Sequence, residues 1–359
     1  SYIEFFTDVT TSGNTVNNTL VIPIGSAFNN LIIEGNDLAL TGALTVNARG
    51  VIVRDLDISG IITLQNGARS FTALDVVADG FDTTISAPLG SETINLTNVT
   101  AGQSDIAGGN FVFDNVVLGD VVLSLTNTFK DVEVGAVTLA DDVQLTLNNV
   151  TATSIANRAD NADEQITIVA VNVIYVDSMP QSDTGDTVDL VIGSGAKLVG
   201  LNASAVDSIE FLGSATLVGG TYDGLALDLG TNTLSLEGDI GTSSTTEITA
   251  GAISGSNTAL VDELQLNSTM TVSNIHADNP ITILSGATIT IPADATLTAV
   301  GIAQQANANA NATLVALGTL HEATFTVASG TLNLVLGDGA TLDDVKFFEG
   351  RTLTVDNEL

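Results

Sequence analysis

The chain has 359 residues, 44% of them hydrophobic, with 42 Asp or Glu against 8 Lys or Arg, a formal charge of -34, and neither Cys nor Trp. Such a one-signed surface repels phosphate backbones and anionic lipids, which excludes nucleic-acid partners and a membrane-surface role. No apolar run of about 18 residues inserts into a bilayer, and zinc, iron–sulfur and thiol chemistry lack the sulfur and imidazole clusters they need.

Residues 1–30 place three aromatics in the first six positions, Tyr2, Phe5 and Phe6, in a chain that has only 12 Phe and 3 Tyr. We read this stretch as an N-terminal strand or cap, or as a segment that joins subunits. The opening Ser1-Tyr2-Ile3-Glu4 lacks Met and an apolar leader, which reads as a mature secreted chain with its signal already removed. The expected location is extracellular or at a cell surface.

Residues 31–155 repeat a short phrase: an alternating strand, then Asn or Asp, an apolar residue, and a small-residue stop. It appears as Asp37-Leu38-Ala39-Leu40-Thr41-Gly42, Asp57-Ile58-Ser59-Gly60, Asp75-Val76-Val77-Ala78-Asp79-Gly80 and Asn98-Val99-Thr100-Ala101-Gly102. It returns as Asn115-Val116-Val117-Leu118-Gly119 and, after a double step, Asn149-Val150-Thr151-Ala152-Thr153. Residues 156–340 carry a second phrase in which a small-residue turn leads into a strand, as in Gly195-Ala196-Lys197-Leu198, Ser214-Ala215-Thr216-Leu217 and Gly286-Ala287-Thr288-Ile289. Loops at 156–164 and 177–189 and an Ala/Asn/Gln stretch at 303–313 interrupt it. Residues 341–359, with Phe347-Phe348, read as a C-terminal cap.

Period-2 alternation rich in Thr and Val suits half-buried strands. A recurrence of roughly 20 residues, with small and Asx residues between strands, points to stacked coils that bury a shared interior. The expected fold is all-β, a right-handed parallel β-helix or β-solenoid in one or two stacked segments. Asn98, Asn115 and Asn149 are candidates for a ladder at one corner, although Asn also makes good turns on its own. A tandem of β-sandwiches is the competing architecture.

These phrases resemble the parallel β-helix segments of bacterial secreted and surface-layer proteins, and of autotransporter and filamentous-haemagglutinin passengers. The resemblance implies an extracellular surface role and assigns no activity.

Carboxylates are the only catalytic material in supply: Asp55 with Asp57, Asp141 with Asp142, Asp343 with Asp344. Five Arg, three Lys and no Trp furnish a sugar groove poorly, so the chain is read as a non-enzyme, with a polysaccharide lyase or hydrolase as the lesser alternative. No cofactor is expected beyond calcium. That ion takes six to eight oxygen ligands from acidic loops, here Asp160, Asn161, Asp163 and Glu164 in one and Asp183, Asp186 and Asp189 in another. His276 and His321 stand alone and read as solvated residues. Open solenoid ends expose unpaired strand edges that must be capped or used. Tyr2, Phe5, Phe6, Phe347 and Phe348 either plug those ends or join subunits head to tail, with Ser1–Thr10 also able to add as a strand to a neighbour. The expected function is a self-assembling structural protein of an extracellular filament or surface layer. The alternative is an adhesin stalk or passenger that binds a glycan or host surface.

Overall fold

The computed structural model describes residues 2–7, 9–10, 19–65, 68–83, 93–106, 110–123, 127–139, 143–157, 165–176, 187–203, 206–242, 246–256, 260–305, 311–327, 331–347 and 353–356. The chain is all-β: parallel strands stack coil upon coil as a β-solenoid. Among the described residues the one helical element is the 3₁₀ turn Ser26–Phe28, and no helix is long and apolar enough to cross a membrane. Two compact units divide the chain, Ser1–Val169 with Ile174–Val188, and Ala170–Val173 with Asp189–Leu359.

In the first unit, strand Ile52–Leu64 buries Val53, Leu56, Ile58, Ile62 and Leu64. Alternation holds within each straight piece and breaks twice. The first break is Asp55, whose φ of 51° is left-handed. It turns the chain so that the inward residue after Val53 is Leu56, three positions on. Asn and Asp tolerate this region better than other residues with a Cβ because their short polar side chains bond locally. The register stacks the corner over seven coils as Asp37, Asp55, Asp75, Asn98, Asn115, Asp131 and Asn149, with φ between 51° and 60°. The corner of the second copy is therefore Asp55, not Asp57. The double step between Asn115 and Asn149 holds a further coil, Asp131-Val132-Glu133-Val134-Gly135.

The second break falls at glycines where coils approach closely. A Cβ on Gly80 would lie 2.1 Å from the Gln103 carbonyl oxygen, so only glycine fits. Five fully buried phenylalanines, Phe71, Phe81, Phe111, Phe113 and Phe129, fill the interior. Phe113 and Phe129, one coil apart, meet edge to face with centroids at 4.9 Å, a favoured aromatic geometry.

The second unit builds three successive corners with glycine, although Asn172, Asn274, Glu322 and Asp344 are left-handed there as well. Gly200, Gly219 and Gly238, with φ of 70°, 62° and 70°, follow the in-register strands Lys197–Val199, Ala215–Val218 and Thr233–Glu237. Its short strands separate into distinct parallel sheets, two of them with 7 and 6 strands. Lys197 pairs with Thr216, Ala215 with Leu234, Thr233 with Ala252 and Ala252 with Thr271, so these successive coils are all of one length. Both described ends of the stretch read as an interruption at 303–313 are strand: Ala303 and Gln304 pair with Thr326 and Val327, and Asn311 pairs with Thr331. Gln304 and Ala312 are buried, and Gln305 and Asn311 are exposed. An interior column runs through Leu264, Ile281, Ile302, Phe325 and Phe347.

Candidate functional site

The first rung of the first unit is built by pairing within the chain. Tyr2–Glu4 lies in register along Ile32–Glu34, and Val9–Thr10 pairs with Leu40 and Thr41. Among the described pairings neither strand has a partner on its other side. Phe5 is buried, with its backbone N–H donated to the Glu34 carbonyl at 2.9 Å, so it closes the core. Tyr2 lies on the outward face beside Arg54, which forms an ion pair with the buried Glu34. Phe6 is 81% exposed, and Val21, Ile24 and Phe28 on the same rung are exposed as well.

The last rung of the second unit differs. Phe347 continues an interior column and stacks on Phe325 with centroids at 5.2 Å. Phe325 is 3% exposed, whereas Phe347, on the last described rung, is 48% exposed. Lys346–Phe347 and Leu353–Asp356 pair only with the coil before them among the described pairings. Phe348 lies outside the described residues.

The corner column brings Asn98 and Asn115 together. The Asn98 side-chain amide donates to Asp75 at 2.9 Å, and Asn115 donates to Asn98 at 2.7 Å. Asn149 occupies the same column and donates to Asp131 at 2.9 Å. Hydrogen bonding from Asn149, aided by Lys130, holds the Asp131 carboxyl below its ordinary value. Burial, then the neighbouring Glu34 and Asp75, raises that of Asp55. Asp37 and Asp75 stand in the repeated phrase but, like Asp55 and Asp131, were not among the ladder candidates; the shared left-handed φ is what unites all seven.

Of the calcium candidates, Asp160, Asn161, Asp163, Glu164, Asp183 and Asp186 lie outside the described residues. Asp189 is in strand Thr187–Ile192 rather than a loop, and accepts a hydrogen bond from the Ser208 hydroxyl at 2.5 Å. Among the described residues no group of three His, Cys, Asp or Glu is arranged to hold a metal ion. Asp55 and Asp57 do not share a strand face, because Asp55 is itself the corner. His276 and His321 belong to one column, linked through Thr298, and His321 also contacts Asp343 on the next coil at 2.9 Å. Their separation in sequence hid this.

Two clefts indent the first unit. One, of about 460 Å³, is acidic: Asp82 and Asp105 face it from paired positions on adjacent coils, with Asp79 beside them. Burial, and then the Asp105 carboxylate, holds the Asp82 carboxyl above its ordinary value. The other, of about 310 Å³, holds Arg49 and Arg69. Comparisons with family models, with curated proteins and with solved structures found no match.

Proposed function

We propose that the protein is an extracellular structural subunit that assembles head to tail through its solenoid ends. The observation that carries this reading is Phe347, a residue of an interior column left half exposed on a rung whose strands, among the described pairings, pair on one side only. Exposed Phe6, Ile24 and Phe28 on the first rung offer further apolar surface. Burying such surface stabilises a contact by about 25 cal/mol per Å². A heterologous contact that does not close on itself propagates into a filament or layer. The pairing of Tyr2–Glu4 with Ile32–Glu34 in the same chain favours stacking of ends over donation of the N-terminal strand.

The test is negative-stain electron microscopy over a concentration series, with and without calcium. Uniform filaments are expected, and Phe347→Asp should remove them while the circular dichroism stays that of the wild type. Single particles at every concentration would overturn the assembly reading, and glycan or cell binding by those particles would favour the adhesin alternative.

A second reading, hydrolysis of a glycan, has one observation in its favour: the Asp82 and Asp105 pair in the acidic cleft. Two carboxyls at paired positions on adjacent coils in one cleft have the arrangement of an acid and base couple. Release of reducing ends from neutral glycans, lost in both Asp82→Asn and Asp105→Asn, is the result it requires.

A further inference from the structure

In the second unit the residue least suited to its backbone is Glu322. Its φ is 59°, and every other left-handed position among the described residues is Gly, Asn, Asp or Ser. A Glu there is strained and has no short side chain to bond locally in return; such an outlier points to a role. The conformation sets the Glu322 carboxylate beside His321, with Oε1 at 3.3 Å from Nε2. The other ring nitrogen, Nδ1, lies 2.9 Å from Asp343 Oδ2. Asp343 stands directly opposite His321 in register, on strand Thr341–Asp343 of the next coil. That strand is the last described rung of its sheet. The imidazole thus ties its own corner to a rung that is paired, among the described residues, on one side only.

The groups that face the ring come from three places. The preceding strand, Thr296–Ala299, sets uncharged Thr298 against it, with His276 one coil further away. The following strand brings Asp343, and after it Asp344, whose carboxylate lies 3.8 Å from Lys346 Nζ. Its own corner brings Glu322. Both ring nitrogens therefore face carboxylate oxygens, which only accept hydrogen bonds. A neutral imidazole has one N–H, so it serves one carboxylate and turns a lone pair toward the other. An imidazolium donates to both. Histidine is the side chain that passes between these forms at about pH 5 to 8. His276 is arranged differently. Its Nε2 lies 3.4 Å from Asp278, two residues along its own chain, and its in-register neighbours Leu260 and Thr298 are uncharged.

We propose that His321 is a proton-operated clasp: its protonation tightens the docking of Thr341–Asp343, and with it Lys346–Phe347, onto the coil before. Three backbone bonds report that docking. Thr341 donates to the Gly318 carbonyl at 3.1 Å, Glu322 to that of Asp343 at 2.9 Å, and Lys346 to that of Ala323 at 2.8 Å. The experiment is amide hydrogen exchange on the full chain, expressed as protection factors at about pH 5.5 and about pH 8. The chain is kept dilute, so the readout does not depend on assembly. Protection of these three amides should be about two- to fivefold greater at the lower pH, the size of an exposed ion pair. His321→Gln should abolish that difference, and Asp343→Asn should reduce it by leaving an acceptor without charge. Glu322→Gly relieves the backbone strain, yet it too should reduce the pH response, which a merely structural role would not predict. His276→Gln should keep the full response. Equal protection at the two pH values in the wild type would overturn the proposal. So would an undiminished response in His321→Gln or in Asp343→Asn.

Discussion

The two units solve one problem, turning a β-strand through a corner, with different residues. The first uses Asn and Asp in the left-handed region, and the strand runs on through the bend, as in Asn127–Leu139 and Gln144–Asn157. The second uses glycine at Gly200, Gly219 and Gly238, and its strands are separate, mostly short pieces. An Asx corner has a side chain that reaches the next coil, as Asn115 reaches Asn98. A glycine corner has none, so adjacent coils are joined there by backbone alone. The interiors differ too. Phenylalanine fills the first unit, while the second is mainly Leu and Ile. Bulky aromatics are accommodated where coil length varies: the step from Val112 to Thr128 is much shorter than that from Thr72 to Asn95. The lesson is that corner chemistry sets how coils are joined: an Asx corner adds a side-chain link between coils that a glycine corner lacks.

The largest effect expected from breaking this arrangement is at the aromatic interior. Phe113→Ala should lower unfolding free energy by about 3–5 kcal/mol in a denaturant titration. Hydrogen exchange should rise first in the adjacent coils of the first unit, because solenoid contacts are local. A loss below about 1 kcal/mol, far short of the usual cost of emptying such a site, would mean that the Phe111, Phe113 and Phe129 cluster is loosely packed.

Next comes the exchange of corner types. Changing Gly200, Gly219 and Gly238 together to Ala should cost about 1–2 kcal/mol at each site, the penalty of the left-handed region for a residue with a Cβ. The matching triple Asn variant should cost distinctly less, because Asn occupies this conformation in the first unit. Equal losses in the two triple variants would sever the analogy between the corners.

A smaller loss is expected in the first unit from Asn115→Gly, which keeps the backbone conformation and deletes one rung of the ladder. About 1 kcal/mol is expected, with Asn115→Ala costing more because strain is added. Thermal unfolding of the pair separates side-chain bonding from backbone strain.

The smallest effects come from charge. The Asp55 carboxyl is raised, so its contribution to stability is present below its unfolded pKa and is lost as pH rises through the folded value. Asp55→Asn should therefore stabilise the protein at neutral pH and not in acid. Asp131 is lowered, so its contribution is present above its unfolded pKa and is lost as pH falls through the folded value. Asp131→Asn should destabilise at neutral pH and be silent in acid. Denaturant titrations of both variants at the two pH values check this. A common sign for the two variants at neutral pH would show that the column does not sort its charges as described.

Local signals made much of this legible. Alternation, Asx residues before an apolar position, and a recurrence at the length of one solenoid coil yielded the stacked parallel coils and the ladder candidates. What stayed hidden were juxtapositions between coils. Asp131 was skipped, the corner was placed at Asp57 instead of Asp55, and the pairing of His321 with Asp343 was unseen. Arg49 and Arg69 share a cleft that neither residue marks locally.

By itself the amino-acid sequence determined the class of structure. Period-2 burial and small-residue corners are properties of one coil, and a single coil cannot bury its apolar face without stacking on others. The long-range repulsion of a strongly acidic surface is likewise set by composition. Register was decided only in the tertiary structure, because coil lengths vary and a single-position slip moves an entire face from inside to outside. Which carboxylates meet, which aromatic ends a buried column, and which two arginines share a cavity all follow from that register.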